Sequence, residues 1–254
     1  MSIFKHYSKY YDLIYSDKNY SAEVEYIVSL FQNKFKCKNI LELGCGTGVH
    51  AKLLAEKNYI VHGIDSSPEM IKIAKGKTSE FDKENLNNIS FECSDIRHFK
   101  SNEKYDNIIS LFHVICYLNS DKDLENALTN AYVHLRKGGS FIFDIWHAPA
   151  VINDGLSVRF KRLENPELLI NRYSRPSLHA QNVSKIEYDI YVFDKSKEIW
   201  SFIDETHLVR FFSLEEIKYF AEKVGFSFAA SEEWLTGNTP SNKTWSVTIV
   251  LNKT

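Results

Sequence analysis

The chain lacks several features that would assign it to common functional classes. Its four cysteines are scattered without any Cys-x-x-Cys spacing, at Cys37, Cys45, Cys93 and Cys116. This pattern favours reduced thiols over disulfides or metal ligands. No apolar run approaches the length that crosses a membrane, and the first residues contain no apolar signal core. We therefore expect a cytoplasmic protein with no membrane partner.

Neither positively nor negatively charged residues are in clear excess. The chain has 31 Lys and Arg against 33 Asp and Glu, a net charge of −2. A nucleic-acid partner is not expected, because the basic footprint that binds a polyanion is absent. No His-x-x-x-His or clustered carboxylate set is found, so no metal is expected either. A length of 254 residues with 44% hydrophobic residues suits one large globular enzyme with a small-molecule substrate.

Glycine is scarce, at ten residues, yet three glycines stand at alternate positions after the apolar run 40–43: Gly44, Gly46 and Gly48. A helical pattern follows them. A buried strand, a glycine turn and a helix together form the nucleotide-site geometry of open α/β sheets. The spacing differs from the Gly-x-Gly-x-x-Gly of dinucleotide enzymes. The Gly-Lys-Ser/Thr of P-loops is absent, which excludes that class of triphosphate site.

Two acids complete this motif. Glu42 stands two residues before Gly44, and Asp65 ends the next predicted strand. An acid at the tip of the second strand can accept hydrogen bonds from both ribose hydroxyls. On these residues the chain resembles the class I S-adenosylmethionine-dependent methyltransferases, whose first motif is Glu/Asp-x-Gly-x-Gly-x-Gly. The resemblance implies S-adenosylmethionine as cofactor and Asp65 as the ribose-binding acid.

The same resemblance implies the rest of the cofactor site. Asp95 and Ile96 follow the third predicted strand, where the family binds adenine. Met70 corresponds to the apolar residue that packs on adenine, although core packing is an alternative. Leu111 and His113 follow the fourth strand, beside the expected methionine moiety. His113 is either a ligand contact or a partly buried histidine with its own hydrogen-bond partner.

Alternating helical and extended signals predict a Rossmann-like, doubly wound α/β fold with a seven-stranded sheet. Strands are predicted at 38–43, 59–64, 89–93, 105–111, 140–145, 226–234 and 244–252. Helices are predicted at 21–35, from Ser66-Ser67-Pro68-Glu69 onward, at 122–135 ending before Gly138-Gly139, and at 213–223 with Ser213 as its cap.

The pattern changes between residues 146 and 212, where stretches such as 184–193 alternate with period two. We predict an antiparallel insert of three or four strands at 146–212, after strand five, with a hairpin turn near 194–197. The methyltransferase core then comprises 1–145 and 213–254. Since ligands of open α/β sheets sit at the carboxyl ends of the strands, the insert should roof the site and select the substrate. A homodimer surface is the alternative role, compatible with the first.

Three further segments extend the resemblance over nearly the whole chain: Tyr7-x-x-Tyr-Tyr-Asp-Leu-Ile-Tyr15, Phe112-x-x-x-Cys-Tyr117-Leu and His207-x-x-Arg210-Phe. They are similar to bacterial N-methyltransferases that dimethylate the amine of nucleotide-linked amino sugars. In those enzymes Tyr15 matches a substrate-proximal tyrosine. Tyr117 stands where some members carry an active-site histidine and others a tyrosine.

The resemblance therefore implies a dTDP-type amino sugar as substrate. Candidate catalytic residues are Tyr15 and Tyr117, with His207 as the base if one is needed. Arg210 is expected to pair with a diphosphate or carboxylate. Further substrate contacts are expected at Tyr7, Tyr20 and Trp146, and aromatic residues of the insert, Tyr173, Tyr188 and Tyr191 among them, could meet a nucleotide or simply pack a β-layer.

Two other functions stay open at this point. The first is methylation of another small molecule, such as a glycine-like amine, a carboxylate or a phenol. The second is a protein that binds S-adenosylmethionine without catalysis. Intact acids and glycines at the motif argue against the second, because loss of function should erode this site first.

Overall fold

The computed structural model describes residues 7–31, 38–78 and 87–254. The strands are β1 Asn39–Leu43, β2 Ile60–Asp65, β3 Ile89–Cys93, β4 Tyr105–Ser110, β5 Leu135–Trp146, β6 Arg159–Glu164, β7 Leu168–Ala180, β8 Val183–Asp194, β9 Ile199–Arg210, β10 Ser227–Glu233 and β11 Ser246–Asn252. The helices are α1 Tyr11–Ile14, α2 Tyr20–Leu30, α3 Val49–Glu56, α4 Pro68–Lys77, α5 Asp121–His134, α6 Ala148–Asp154 and α7 Leu214–Val224, with 3₁₀ turns at Tyr7–Tyr10 and Val114–Tyr117.

Seven strands form the main sheet in the order β10-β11-β5-β4-β1-β2-β3. Strands β1 to β5 run parallel, whereas β11 is antiparallel to both β5 and β10. Helices cover both faces, so the central strands are apolar on both sides and nearly completely buried. The predicted seven-stranded doubly wound fold is confirmed.

Helix starts follow the serine signals in the sequence. The hydroxyls of Ser67, Ser120 and Ser213 each accept a hydrogen bond from the backbone N–H three residues later, at 3.3, 3.1 and 3.1 Å. Pro68 occupies the first turn of α4, where its missing N–H costs nothing. The predicted starts of these three helices are confirmed to within a residue.

One boundary prediction was wrong. Helix α5 ends at His134, one residue before the predicted end, but β5 begins at Leu135 and not at Ser140, so Gly138 and Gly139 lie inside the strand. A Cβ on Gly139 would stand 2.4 Å from the carbonyl oxygen of Asp106, so glycine is required for close approach to β4. The end of the helix predicted at 21–35 and Cys37 lie outside the described residues.

The insert is a separate four-stranded antiparallel sheet in the order β6-β7-β8-β9. Asp194 ends β8 at the predicted hairpin and accepts hydrogen bonds from the backbone of Ser196 and Lys197. The antiparallel insert after strand five is thus confirmed. Part of one face of this sheet packs on the N-terminal segment, in a core that contains Tyr7 and Ile14 together with Ile170, Ile190 and Val192. Because the N-terminal turns share the insert's core, the exact division at 146 and 212 stays a prediction.

Within the described ranges, none of the helices is both long and apolar enough to cross a membrane. Cys45 and Cys116 are buried free thiols and Cys93 is an exposed one.

Candidate active site

A cavity of about 770 Å³ opens where the parallel strands end, between the main sheet and the insert. Its floor is formed by residues of the glycine loop and the strand ends: Gly44, Gly46, Asp65, Met70, Ile96 and Leu111. Its roof is the inner face of the insert: Arg159, Arg172, Ile186, Tyr188, His207 and Val209. Tyr11, Tyr15, Tyr117 and Trp146 line the cavity between them.

Asp65 connects the end of β2 to the glycine loop. Its Oδ2 accepts a hydrogen bond from Gly46 N at 2.9 Å, and its Oδ1 accepts one from Ser67 N at 2.8 Å. Each oxygen retains a lone pair that can accept a ribose hydroxyl. Burial raises the pKa of Asp65, and the two backbone N–H groups oppose this shift. The predicted ribose acid therefore lies at the cavity floor.

The open side of the glycine loop is at Gly46. This residue has φ of +55°, and a Cβ there would meet nothing within 4 Å, so the backbone is accessible to a ligand. Gly48 has a different role, because its φ is +79° and a Cβ would stand 2.6 Å from the ring of Phe91. Gly48 is thus a packing and turn residue behind the cavity.

Glu42 is also placed behind the cavity, with 1% of its surface exposed. Its Oε1 is 3.6 Å from Nδ1 of His50, and its Oε2 is buried without a hydrogen-bond partner among the described residues. Burial, followed by the nearby Asp65 carboxylate, raises the pKa of Glu42 to about 8. Burial also lowers the pKa of His50, which disfavours the positive charge that would compensate the carboxylate.

Glu42→Gln is expected to stabilise the cofactor-free protein, and more so at high pH. The folded-state pKa of about 8 exceeds the reference value of 4.5, so stability is lost as pH rises between these values. Between about pH 6 and pH 8.5 the gain in unfolding free energy from the substitution should grow by roughly 2–3 kcal/mol. Urea denaturation at both pH values measures it, with the surface change Glu56→Gln as control. A gain that does not grow with pH would show that Glu42 is compensated.

The part of the cavity that is predicted to bind adenine contains one acidic residue beside apolar side chains. Both carboxylate oxygens of Asp95 are held by the guanidinium of Arg97, at 2.6 to 3.1 Å, and Arg97 also pairs with Asp123 at 2.6 Å. Hydrogen bonds from Arg97 hold the pKa of Asp95 below its usual range. Asp95 lines the cavity as a fixed anion beside the apolar side chains of Met70 and Ile96.

The turn after β4 is held by an acid that the sequence analysis did not single out. Asp144 on β5 accepts a hydrogen bond from His113 N at 3.0 Å, and its other oxygen is 2.8 Å from His113 Nδ1. Phe112 and His113 both have positive φ, +68° and +62°, which is strained for these residue types. His113 therefore has its own partner and also lines the cavity.

Two tyrosine hydroxyls contact a half-buried cation, Arg172, at the roof. Arg172 Nη1 donates to the hydroxyls of Tyr7 and Tyr15, at 2.9 and 3.1 Å, and Tyr7 donates to Tyr15 at 3.0 Å. Burial raises the pKa of Tyr7 well above its ordinary value. Among the described residues Arg172 has no carboxylate partner, and its Nε is buried without a hydrogen bond. A half-buried guanidinium without a counter-ion is unfavourable, and an anion bound in the cavity would relieve that cost.

A second hydrogen-bonded chain lies beside this cluster. The Tyr117 hydroxyl is 2.8 Å from His207 Nδ1, and His207 Nε2 is 3.1 Å from Glu205 Oε2. Glu205 also accepts a hydrogen bond from Tyr7 N at 3.2 Å. Burial raises the pKa of Tyr117 well above its ordinary value. Tyr117 and His207 line the cavity, so this chain can carry a proton away from it.

Three residues expected to touch the substrate are placed elsewhere. Arg210 is buried and donates to Asp121 at 2.5 Å and to Glu216. It lies outside the cavity lining with its charge already neutralised, so the expectation that it binds a diphosphate is corrected. Tyr7 is 1% exposed, behind Tyr15, and the Tyr20 ring packs on His50 with centroids 5.0 Å apart.

Sequence reasoning missed Arg172, Arg159 and Glu205. The only sequence signal for these residues was the two-residue period of the insert strands. This period places Arg172 on the same face of the sheet as Ser174, and Glu205 on the same face as His207. Asp12 was likewise missed: its carboxylate accepts the Thr47 hydroxyl at 2.7 Å and pairs with Lys77 at 2.6 Å. These two contacts hold the N-terminal turns against the glycine loop and α4.

Comparison with known proteins agrees with this geometry. Residues 40–139 match the sequence model of a family described as a methyltransferase domain. The chain is 26% identical over 209 residues, 81% of this chain and 84% of the relative, to the dTDP-3-amino-3,4,6-trideoxy-alpha-D-glucopyranose N,N-dimethyltransferase of Streptomyces venezuelae.

Solved structures share the fold over the entire chain. An S-adenosylmethionine-dependent methyltransferase from Clostridium acetobutylicum superposes with a TM-score of 0.81 at 21% identity, covering 98% of this chain and 97% of that one. An amino pentose methyltransferase from Micromonospora echinaspora, solved with S-adenosylmethionine bound, gives 0.76 at 20% identity, covering 100% and 99%.

The cavity floor fits the predicted cofactor: an acid for the ribose, an open glycine turn, and apolar walls beside Asp95. The two solved structures are described as S-adenosylmethionine-dependent or S-adenosylmethionine-bound, in agreement with this fit. Residues 40–139 therefore match a methyltransferase domain, and the chain shares the fold of the two solved methyltransferases.

Proposed function

We propose that this protein methylates the amine of a nucleotide-linked amino sugar, with a dTDP-type carrier as the first choice. The observation that carries the proposal is the cavity itself, which continues from the cofactor floor to a roof holding the unpaired cation Arg172. Arg159 adds a second positive charge to the same roof. The dTDP-amino-sugar N,N-dimethyltransferase among the relatives supports this choice of substrate.

The roof suits a substrate that carries negative charge at one end. Arginine binds phosphate oxygens through charge-assisted hydrogen bonds, and those bonds strengthen where water is excluded. The ring of Tyr188, which also lines the cavity, lies 5.4 Å from the Arg172 guanidinium and stiffens it. A neutral substrate would leave the guanidinium of Arg172 without a counter-ion.

The reaction centre needs little acid–base chemistry. When bound, S-adenosylmethionine supplies an electrophilic methyl group on a sulfonium. The residues of this chain have to hold a neutral amine in line and exclude water. Tyr15 and Tyr117 provide hydroxyls at the cavity wall. After transfer, the amine proton can pass to the Tyr117 oxygen while the Tyr117 proton moves to His207 Nδ1, with Glu205 stabilising the imidazolium.

Glu205 is a positioning residue in this scheme, since it contacts His207 and not the cavity. It fixes the ring so that Nδ1 faces Tyr117. Its role becomes important when a second methyl group is added, because the monomethylated amine must lose a proton before it can react again.

An acceptor panel tests the proposal. With S-adenosylmethionine fixed, dTDP-3-amino and dTDP-4-amino sugars, the free amino sugar, glycine and a phenol are compared by the rate of S-adenosylhomocysteine release. We expect rapid turnover only with the nucleotide-linked amino sugars. Rapid turnover with glycine or the phenol, and none with the sugars, would replace the proposal with the small-molecule alternative.

Arg172→Gln separates the anion site from the reaction centre. The KM for the dTDP-linked amino sugar should rise by about ten- to a hundredfold, because a charge-assisted bond of about 1.5–3 kcal/mol is lost. Turnover of the free amino sugar, which has no diphosphate, should respond much less, and S-adenosylmethionine affinity should not change. Equal loss with both acceptors would mean that Arg172 serves the tyrosines and not the diphosphate.

A further inference from the structure

An acid–imidazole pair faces the cavity at the end of β4, apart from the proton path through Tyr117 and His207. Asp144 is 2% exposed, and its Oδ1 accepts a hydrogen bond from the backbone N–H of His113 at 3.0 Å. Its Oδ2 lies 2.8 Å from His113 Nδ1. These two atoms are close but are not aligned as in a regular hydrogen bond, and catalytic pairs often align fully only in the reacting complex.

The other side of the His113 ring is open to the cavity. The side chain is 23% exposed and lines the cavity, whereas its Nδ1 is buried against Asp144. No residue that the structure describes bonds to Nε2, and this atom is not buried. A carboxylate can only accept hydrogen bonds, so the neutral ring carries its proton on Nδ1 and keeps a lone pair on Nε2. The pair therefore presents a hydrogen-bond acceptor to the cavity.

The backbone that carries this ring is strained. Phe112 and His113 have φ of +68° and +62°, a region in which glycine is the least costly residue. Ring contacts hold both side chains there: Phe112 packs on Tyr15 with centroids 4.9 Å apart, and His113 on Trp146 at 6.2 Å. Strain of this kind clusters at active sites, where a side chain has to stand in a fixed place.

A primary amine that attacks a methyl group needs two hydrogen-bond acceptors. Its lone pair must point along the S–CH₃ bond, so its two N–H bonds point away to either side. Tyr117 provides an oxygen at the cavity wall. His113 and Tyr117 stand at the two ends of one 3₁₀ turn. At roughly 2 Å per residue they are about 8 Å apart along the turn, which leaves room for the nitrogen between their side chains.

We propose that His113 Nε2 accepts the second N–H of the acceptor amine, and that Asp144 is a positioning residue that keeps the ring proton on Nδ1. This role deepens the proposed function and rests on it. As the N–CH₃ bond forms, the electron pair of the broken S–CH₃ bond stays on sulfur and positive charge develops on nitrogen. The N–H···Nε2 hydrogen bond strengthens as that charge develops, which stabilises the transition state.

The two methylation steps should depend on His113 to different degrees. After the first transfer the ammonium loses one proton through Tyr117 and keeps one N–H. The second transfer therefore needs only one of the two acceptors, and His113 contributes most to the first.

Turnover of the dTDP-linked primary amine and of its monomethylated form, each as the sole acceptor, tests this role. His113→Asn suits the test because asparagine also tolerates positive φ. It should lower turnover of the primary amine by about ten- to a hundredfold and that of the monomethylated amine much less, with S-adenosylmethionine affinity unchanged. Glu205→Gln should show the opposite preference. The matched control is His179→Asn, at an exposed position of β7 outside the cavity lining, which should leave both rates unchanged.

Nitrogen NMR of the His113 ring tests the part played by Asp144 without any acceptor. The ring signals are assigned by their loss in His113→Asn. At about pH 8, where an ordinary histidine ring is neutral, Nε2 should be the unprotonated nitrogen in the wild-type protein. In Asp144→Asn the amide N–H₂ turned toward Nδ1 should move the ring proton to Nε2. This variant keeps the ring and should still slow the primary amine as His113→Asn does.

Three results would overturn the proposal. The first is a ring proton on Nε2 in the wild-type protein. The second is equal slowing of both acceptors by His113→Asn, which would make the pair a clamp for the turn. The third is a fall in cofactor affinity as large as the fall in turnover, which would place the ring against the methionine moiety. If the acceptor panel instead identifies glycine as the substrate, the proposed function fails, and the same comparison with glycine and N-methylglycine still decides the role of His113.

Discussion

Asp65→Ala is expected to weaken S-adenosylmethionine binding by about ten- to a hundredfold. The carboxylate lies at the cavity floor with one lone pair free on each oxygen, and hydrogen bonds from two ribose hydroxyls to a charged group contribute about 1.5–3 kcal/mol. Loss of the Gly46 hydrogen bond adds to the effect by loosening the glycine loop. Calorimetry with S-adenosylmethionine and with S-adenosylhomocysteine measures both affinities, which should fall together.

Asp95→Ala is the matched control, because both Asp95 oxygens are already held by Arg97. It should cost less than Asp65→Ala. The unfolding free energy of Asp65→Ala should not fall sharply, since burial of this carboxylate is itself unfavourable. Unchanged cofactor affinity in a folded Asp65→Ala protein would show that the ribose binds elsewhere.

Tyr117→Phe and Tyr15→Phe are each expected to lower turnover by about ten- to a hundredfold, at or below the usual contribution of a positioned proton-transfer group. His207→Gln should do the same, because it breaks the chain from Tyr117 to Glu205. Cofactor affinity should be unaffected, since none of these residues belongs to the cofactor floor. Steady-state kinetics with the dTDP-amino sugar gives kcat and KM separately.

The pH dependence of the rate and the separate rates of the two methylation steps distinguish a proton relay through His207 and Glu205 from a purely structural contact. In the wild-type protein the rate should rise as pH approaches the pKa of the substrate amine. In Glu205→Gln the second methylation should be slowed more than the first, because the monomethylated ammonium loses its proton less readily. Equal slowing of both steps would assign Glu205 a structural role, and complete loss of activity in Tyr15→Phe or Tyr117→Phe would mark that tyrosine as an obligatory base.

The cofactor half of the molecule could be predicted from the sequence because its signals are local. The glycines at 44, 46 and 48 and the acid at 65 lie within one strand–turn–helix–strand unit, so their spacing fixes their geometry. Serine caps locate the helices for the same reason. Gly138 and Gly139 misled only the predicted start of strand five, because glycine marks both helix ends and close strand approach, and the neighbouring Asp106 carbonyl oxygen decides between them.

The substrate half could not be predicted as well, because its contacts join distant segments. Arg172 meets Tyr7 across 165 positions of the chain, and no local pattern reports such a pair. The sequence alone does not distinguish Arg210 from Arg172 as a diphosphate ligand. In the structure, the charge of Arg210 is neutralised by Asp121 and Glu216. Period-two alternation predicts that insert residues divide between two faces but not which face meets the cavity. Tyr188 thus lines the cavity while Tyr173 and Tyr191 lie outside it.

The most direct test of the central claim is the position of the transferred methyl group. A dTDP-linked amino sugar is incubated with S-adenosylmethionine labelled at the methyl carbon, and the product is analysed by mass spectrometry and carbon NMR. We predict a product that gains one or two labelled methyl groups, all bonded to the sugar nitrogen, and about ten- to a hundredfold less of it with Tyr117→Phe at the same early time point. A labelled methyl on oxygen, or no labelled sugar under conditions in which glycine is methylated, would contradict the account.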